Sequence, residues 1–141
     1  MSFWDSSALL PLWVDEPRSD GLRQLAEERY DWVVWWGTRV ECASALARRK
    51  RDLGERAQLL TPAEELLQLL SKSWTEVLPT EALRTLAERL LRIHPLRAAD
   101  ALQLAAALVW ADNTPSGLEF VCLDQRLREA AQREGFLLLP D

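Results

Sequence analysis

Residues 96–110, LRAADALQLAAALVW, constrain this chain more than any other stretch. After Arg97 almost every residue is Ala, Leu, Val or Trp, and the exceptions are Asp100 and Gln103. A helix apolar on all sides is normally buried on all sides. That reading puts Asp100 near the start of an element with little water around it, on a stripe shared with Leu96, Leu104 and Ala107. A buried carboxylate has to be paired, ligated or protonated. Arg97, three residues earlier, is one candidate partner through a salt bridge, and a metal ion is the other.

A chain of 141 residues with 48% hydrophobic content suits one globular domain, 1–141, with its own core. No apolar run approaches the roughly 20 residues needed to cross a bilayer. The start, MSFWDSSALL, lacks the basic residues and cleavage site of a signal peptide, and Cys42 and Cys122 are too few for a disulfide framework. A cytoplasmic location is expected. The net charge of −5 argues against a protein that coats nucleic acid, though not against a nuclease, because metal ions can neutralise an acidic site.

Strands are predicted at 2–5, 31–36, 74–78, 118–123 and 136–139, from short apolar runs bounded by Gly, Pro or capping residues. Helical spacing falls between them. The first helix follows Asp5 and is expected to end or bend at Pro11. A helix over 38–51 is expected to turn Val40, Ala43 and Ala47 inward, and a loop is expected around Gly54. Thr61-Pro62-Ala63-Glu64 reads as a capping box opening another helix. Thr80 caps a helix over 81–92, and Asp124 caps one over 125–133 with Gly135 past its end. Strands alternating with helices indicate an α/β class fold, a three-layer α/β/α sandwich with a mostly parallel central sheet.

Taken singly, Asp5 and Asp124 are explained as N-caps, and Glu41 as the partner of Thr38 in a capping box. Taken together they mean more. Residues just past the C-terminal ends of parallel strands line one crevice, and Asp5, Glu41 and Asp124 belong to that edge. Asp100 joins them if its helix starts there. Crowded carboxylates repel by about 4 kcal/mol per pair at 4 Å in an effective dielectric near 20. Such a cluster protonates or binds a hard divalent cation. Oxygen ligands without His or Cys suit Mg²⁺ or Mn²⁺, and a site of that kind can activate water against a phosphodiester.

Four segments, WDSSALL at 4–10, TRVECASALARR at 38–49, LRAADALQLAAAL at 96–108 and FVCLDQRLREAA at 120–131, resemble in order and spacing the PIN-domain ribonucleases. Within that family they resemble the VapC-type toxins of toxin–antitoxin pairs. The resemblance implies an acidic quartet of Asp5, Glu41, Asp100 and Asp124, with Asp124 the more variable member. It also implies Mg²⁺- or Mn²⁺-dependent cleavage of RNA leaving a 5′-phosphate and a 3′-hydroxyl, a homodimer, and a cognate antitoxin that blocks the site. Ser6 and Thr38 match hydroxyl positions beside the acids, where they orient ligands or phosphate. Two residues depart from the pattern: relatives often have a hydroxyl residue where Cys122 stands and His where Gln103 stands.

Other features point elsewhere or nowhere. His94 reads as a helix-terminal cation or a surface residue, which leaves a nucleophile–His arrangement unsupported. The 5 Gly never cluster, so no glycine-rich phosphate loop exists. Among the 7 Trp, Trp4 and Trp110 read as core; one of Trp35 and Trp36 should be core, since strand neighbours face opposite ways, and Trp13 stays open. Arg39, Arg48, Arg97 and Arg126 lie near the acidic edge as candidate RNA contacts. The leading reading is a metal-dependent endoribonuclease, the toxin of a type II pair, without a membrane partner. The rival is a catalytically silent PIN-like module that binds RNA or protein. A phosphotransfer or dehalogenase-like enzyme would also put Asp after strand one, but DSSALL and LDQRL supply neither the second nearby Asp nor the Lys it needs.

Overall fold

Alternation inside three short strands decides how the chain divides into layers. The computed structural model describes Met1–Asp141. Its strands β1 (Ser2–Trp4), β2 (Trp32–Trp35), β3 (Thr75–Val77), β4 (Glu119–Val121) and β5 (Leu137–Leu139) form one sheet in the order β3-β2-β1-β4-β5. Every pairing is parallel, so the expected mostly parallel sheet is wholly so. Successive side chains on a strand face opposite ways. Phe3, Val33 and Phe120 therefore enter one core, and their neighbours Trp4, Val34 and Val121 enter the other.

The first core is closed by α5 (Glu81–Ile93), α6 (Ala98–Trp110) and α7 (Gln125–Glu134). The second is closed by α1 (Ser6–Trp13), α3 (Thr38–Leu53) and α4 (Thr61–Leu70), with Leu22 of α2 (Ser19–Glu28) packed among them. This is an α/β/α sandwich. The chain builds outward from β1 through β2 to β3, then crosses back to lay β4 against the other side of β1. The reversal between β1 and β4 is a topological switch point, where the loops leaving the strands' C-terminal ends diverge and leave a crevice.

The alanine-rich helix α6 is buried as expected along most of its length: Ala101 and every residue from Gln103 to Leu108 are inaccessible. Small side chains let it lie close to the sheet beneath α5. Its first turn departs from expectation. Ala98 and Ala99 are exposed and Asp100 is half-buried, because this turn emerges where the sheet ends.

Pro11 does not end α1; it is buried inside the helix, which continues to Trp13. The inward stripe of α3 is Thr38, Cys42 and Leu46, while Val40 is 68% exposed and Ala43 is also at the surface. The stretch after Gly54 is a 3-10 helix, Gly54–Leu60, that runs directly into α4. Thr61 consequently lies inside the helix with Leu60 at the cap, and no capping bond forms. Thr80 does cap α5, its hydroxyl accepting from Leu83 N at 3.1 Å. Gly135, at φ +112°, closes α7 in the left-handed region that favours glycine.

His94 is also placed differently. The ring is buried, with Nε2 2.9 Å from Glu134 Oε2, so it ties the end of α5 to α7. Of the paired tryptophans, Trp35 is 7% exposed and Trp36, just beyond the strand, is 51% exposed. Trp4 is fully buried, Trp110 packs against the first core, and Trp13 is partly buried beside the second. Both cysteines are free and buried, and no helix is long and apolar enough to cross a membrane.

Candidate active site

The crevice at the switch point is a cavity of about 540 Å³, and its lining includes Asp5, Glu41, Asp100 and Asp124. Four separate elements deliver them. Asp5 follows β1, Glu41 lies in the first turn of α3 after β2, Asp100 in the first turn of α6, and Asp124 follows β4. Ser6, Ser7 and Arg48 share the wall.

Asp5 is only 3% exposed and does two jobs. Its Oδ2 caps α1 by accepting from Ser7 N at 3.1 Å, and it also accepts from Ser7 Oγ at 2.5 Å. The same Ser7 oxygen accepts from Leu123 N at 2.9 Å, which pins the exit of β1 to the exit of β4. The Cys122 thiol stands 3.6 Å from Asp5 Oδ2. Burial pushes the Asp5 carboxyl up to about 6 against the bonds from Ser7, with the charges of Glu41 and Asp100 adding to the rise. The partial positive charge of the α1 N-terminus favours the ionised form at the same place.

Glu41 is held by both oxygens. Ser6 Oγ donates to Oε2 at 2.8 Å, and Gln103 Nε2 donates to Oε1 at 3.1 Å. The expected capping box with Thr38 does not form, because Gly37 occupies the cap position and Thr38 is already helical. Burial raises the Glu41 carboxyl above the usual range, the two hydrogen bonds oppose this, and Asp100 reinforces it. For Asp100 burial again dominates and Asp124 adds repulsion, while a backbone bond from Arg97 and the charges of Arg97 and Arg126 pull the other way. Asp124 is exposed and caps α7, with Oδ1 accepting from Leu127 N at 2.9 Å.

The remaining candidates divide. Ser6 is in the cavity and bonded to an acid. Thr38 is fully buried behind it, where its hydroxyl oxygen accepts from Gln103 Nε2 at 2.9 Å, so it supports a partner of Glu41 and touches no solvent. Arg97 occupies the cap position of α6, is exposed, forms no ion pair within 4 Å and does not line the cavity. The salt bridge to Asp100, one of the two partners weighed for that carboxylate, is therefore absent; the Arg97 side chain is exposed at the N-terminus of α6. Arg48 is the arginine in the wall, whereas Arg39 bonds Gln68. Ser7 went unnoticed in the sequence. Its only signal was a hydroxyl two residues after an N-cap Asp, a pattern shared by many ordinary helix starts.

The donor set fits a hard cation in kind: four carboxylates, no imidazole, and the nearest sulfur a buried thiol. The hydrogen bonds these acids accept fall on Asp5 Oδ2 and Asp124 Oδ1, which leaves Asp5 Oδ1 and Asp124 Oδ2 without a protein donor. Geometrically the site is open. No three acids converge into a ready-made coordination cage. An arrangement of this sort suits Mg²⁺, which keeps several of its own waters and takes one or two carboxylates directly.

A family model described as PIN domain matches residues 3–133. Among solved structures, the crystal structure of PAE2754 from Pyrobaculum aerophilum superposes with a TM-score of 0.66 over 98% of this chain and 88% of that one, at 21% sequence identity. At that identity the likeness speaks to the fold. No curated protein matches the chain.

Proposed function

This chain belongs to the PIN domain family, whose members are generally nucleases, and from that premise we propose that it is an endoribonuclease dependent on Mg²⁺ or Mn²⁺. The observation that carries the reading is that Asp5, Glu41, Asp100 and Asp124 all line one cavity at the sheet's switch point. A divalent cation bound there would supply the positive charge that activates water and offsets charge on a phosphodiester. The four carboxylates would hold it, directly or through its own waters. Ser7 fixes the Asp5 carboxylate and Ser6 fixes that of Glu41, so neither has to be ordered when substrate arrives. Arg48 meets an RNA phosphate at the rim. Cleavage leaves a 5′-phosphate and a 3′-hydroxyl.

The finer biology follows from the resemblance to VapC-type toxins: a homodimer, inhibited by a cognate antitoxin in a type II pair. Large apolar side chains at the surface, among them Trp36, Val40 and Leu78, support the presence of protein partners. Expression of the chain alone should arrest growth, and co-expression of a small protein from the adjoining reading frame should relieve the arrest.

The chemical test uses purified protein and single-stranded RNA in Mg²⁺ or Mn²⁺. Wild type cleaves, EDTA stops it, and Asp5→Asn and Asp100→Asn are inactive yet folded by circular dichroism. Cleavage at the wild-type rate by Asp100→Asn would overturn the mechanism. The openness of the acidic cluster favours one rival, a silent RNA- or protein-binding module. Calorimetric titration separates the two, since the rival takes up no divalent ion at millimolar concentration.

A further inference from the structure

Gln103 is wholly buried, and its amide is used at one end only. Nε2 donates to Glu41 Oε1 at 3.1 Å and to Thr38 Oγ1 at 2.9 Å. Its Oε1 is also buried and has no partner at all. The orientation of the amide is not arbitrary: an ionised carboxylate only accepts, so the nitrogen has to face Glu41. A polar side chain retained for the core's sake would satisfy both ends, because each buried polar atom left unpaired costs stability. Gln103 instead carries an uncompensated acceptor into the middle of α6. An apolar side chain of the same length would serve the packing of that helix better.

Its nitrogen serves Glu41. Gln103 lies three residues after Asp100, so a single rigid helix presents one acid to the cavity and grips a second one on α3. Ser6 of α1 grips that second acid by its other oxygen. The carboxylate of Glu41 is thereby held from two sides by elements that are themselves fixed, and two of its four lone-pair directions are taken. We infer that Gln103 is a positioning residue for the metal-dependent reaction, holding the Glu41 carboxylate in the orientation that receives the cation, and that it is kept at the expense of core stability. The inference rests on the nuclease reading above.

The test joins a spectroscopic measurement on the unaltered protein to two variants. In wild type, Mg²⁺ titration followed by ¹H–¹⁵N NMR should shift the side-chain NH₂ signals of Gln103 together with the backbone signals of Asp5 and Asp124. Gln103→Met, similar in length and shape but without a donor, should unfold within about 2 °C of wild type or above it in EDTA. It should nonetheless bind Mn²⁺ about tenfold or more weakly by calorimetry and cleave RNA with a correspondingly lower kcat/KM. Gln103→His, which restores a ring N–H donor, should recover Mn²⁺ affinity to within about threefold. Mn²⁺ affinity unchanged in Gln103→Met, or a loss that Gln103→His does not recover, overturns the inference. Shifts at Asp5 and Asp124 without any at Gln103 overturn it alone, and the absence of all shifts overturns the nuclease reading with it.

Discussion

Ser6 Oγ donates a 2.8 Å hydrogen bond to Glu41 Oε2, joining the first residue of α1 to the first turn of α3 across a sequence separation of 35. The two helices leave adjacent strands, β1 and β2, and pack side by side on one face of the sheet. The bond therefore sets the relation between the two strand exits as well as the direction of one carboxylate. A serine at a helix start is usually a local capping device. Here Asp5 already caps α1, and the Ser6 hydroxyl is free to reach another element.

Removing that hydroxyl should harm function more than folding. Ser6→Ala should lower stability by about 1 kcal/mol, the usual net worth of one hydrogen bond. Its RNA cleavage and Mn²⁺ affinity should fall by about 10- to 100-fold, the range seen when a group orienting a metal ligand is lost. Urea unfolding and calorimetry on the same preparation check both figures. A stability loss with unchanged metal affinity would make Ser6 purely structural.

Asp5 should make the metal-free protein pH-sensitive. Its carboxyl is pushed by burial from 3.8 to about 6, so between those values the folded chain binds more protons than the unfolded one. Stability then falls as pH rises through this window, and at pH 7 the ionised Asp5 costs about 3 kcal/mol relative to its protonated form. In EDTA at pH 7, Asp5→Asn should be the more stable protein by about 1–3 kcal/mol, and the advantage should vanish near pH 4. Adding Mg²⁺ at pH 7 should stabilise wild type and leave the variant where it was. Thermal melts at the two pH values, with and without the ion, measure each term.

Arg48 lines the acidic cavity and has no carboxylate within ion-pair distance. Its neighbours Arg49 and Lys50 are engaged, with Glu16 and Glu64. Arg48→Ala should weaken binding of single-stranded RNA to the catalytically inactive Asp100→Asn protein and reduce the slope of log affinity against log salt by about 1. Mn²⁺ binding in the otherwise wild-type chain should not change. An unaltered salt slope in fluorescence anisotropy would remove Arg48 from the RNA path.

Gly37 is required by its surroundings. Its φ of −74° suits any residue, but a Cβ there would lie 2.5 Å from Trp35 Nε1. Trp35 is packed in the core with residues of α5 and α6, so the indole has to shift to admit the methyl group. Gly37→Ala should cost about 1–3 kcal/mol by overpacking. Because the residue immediately precedes α3, the substitution should also lower RNA cleavage by displacing Glu41. A urea midpoint equal to that of wild type would show that the indole can move.

Much of the architecture is written in local signals. Asp5, Thr80 and Asp124 cap the helices they were expected to cap, since a capping bond spans two or three residues and needs nothing from the rest of the chain. The strands were visible as short apolar runs between breakers. Where a local signal failed, a neighbour had intervened. Thr61 lost its cap to a 3-10 helix that arrived already wound. The inward face of α3 departs from its apolar pattern because Cys42 and Thr38, which form it with Leu46, carry weaker apolar signals than the exposed Val40.

The linear chain determined the elements and their polarity. Acids stand just past strand ends, and an alanine-rich helix is too apolar to stay in water, because strand period, capping and side-chain hydrophobicity are properties of neighbours in sequence. Partnership was decided only by the tertiary structure. Arg97, three residues from Asp100, turned outward, while Ser6 and Gln103 reached Glu41 from 35 and 62 residues away. His94 likewise found Glu134 on another helix. A side-chain hydrogen bond requires donor and acceptor within about 3 Å and in line. Only the packing of α1, α3 and α6 around one sheet edge brings such atoms together.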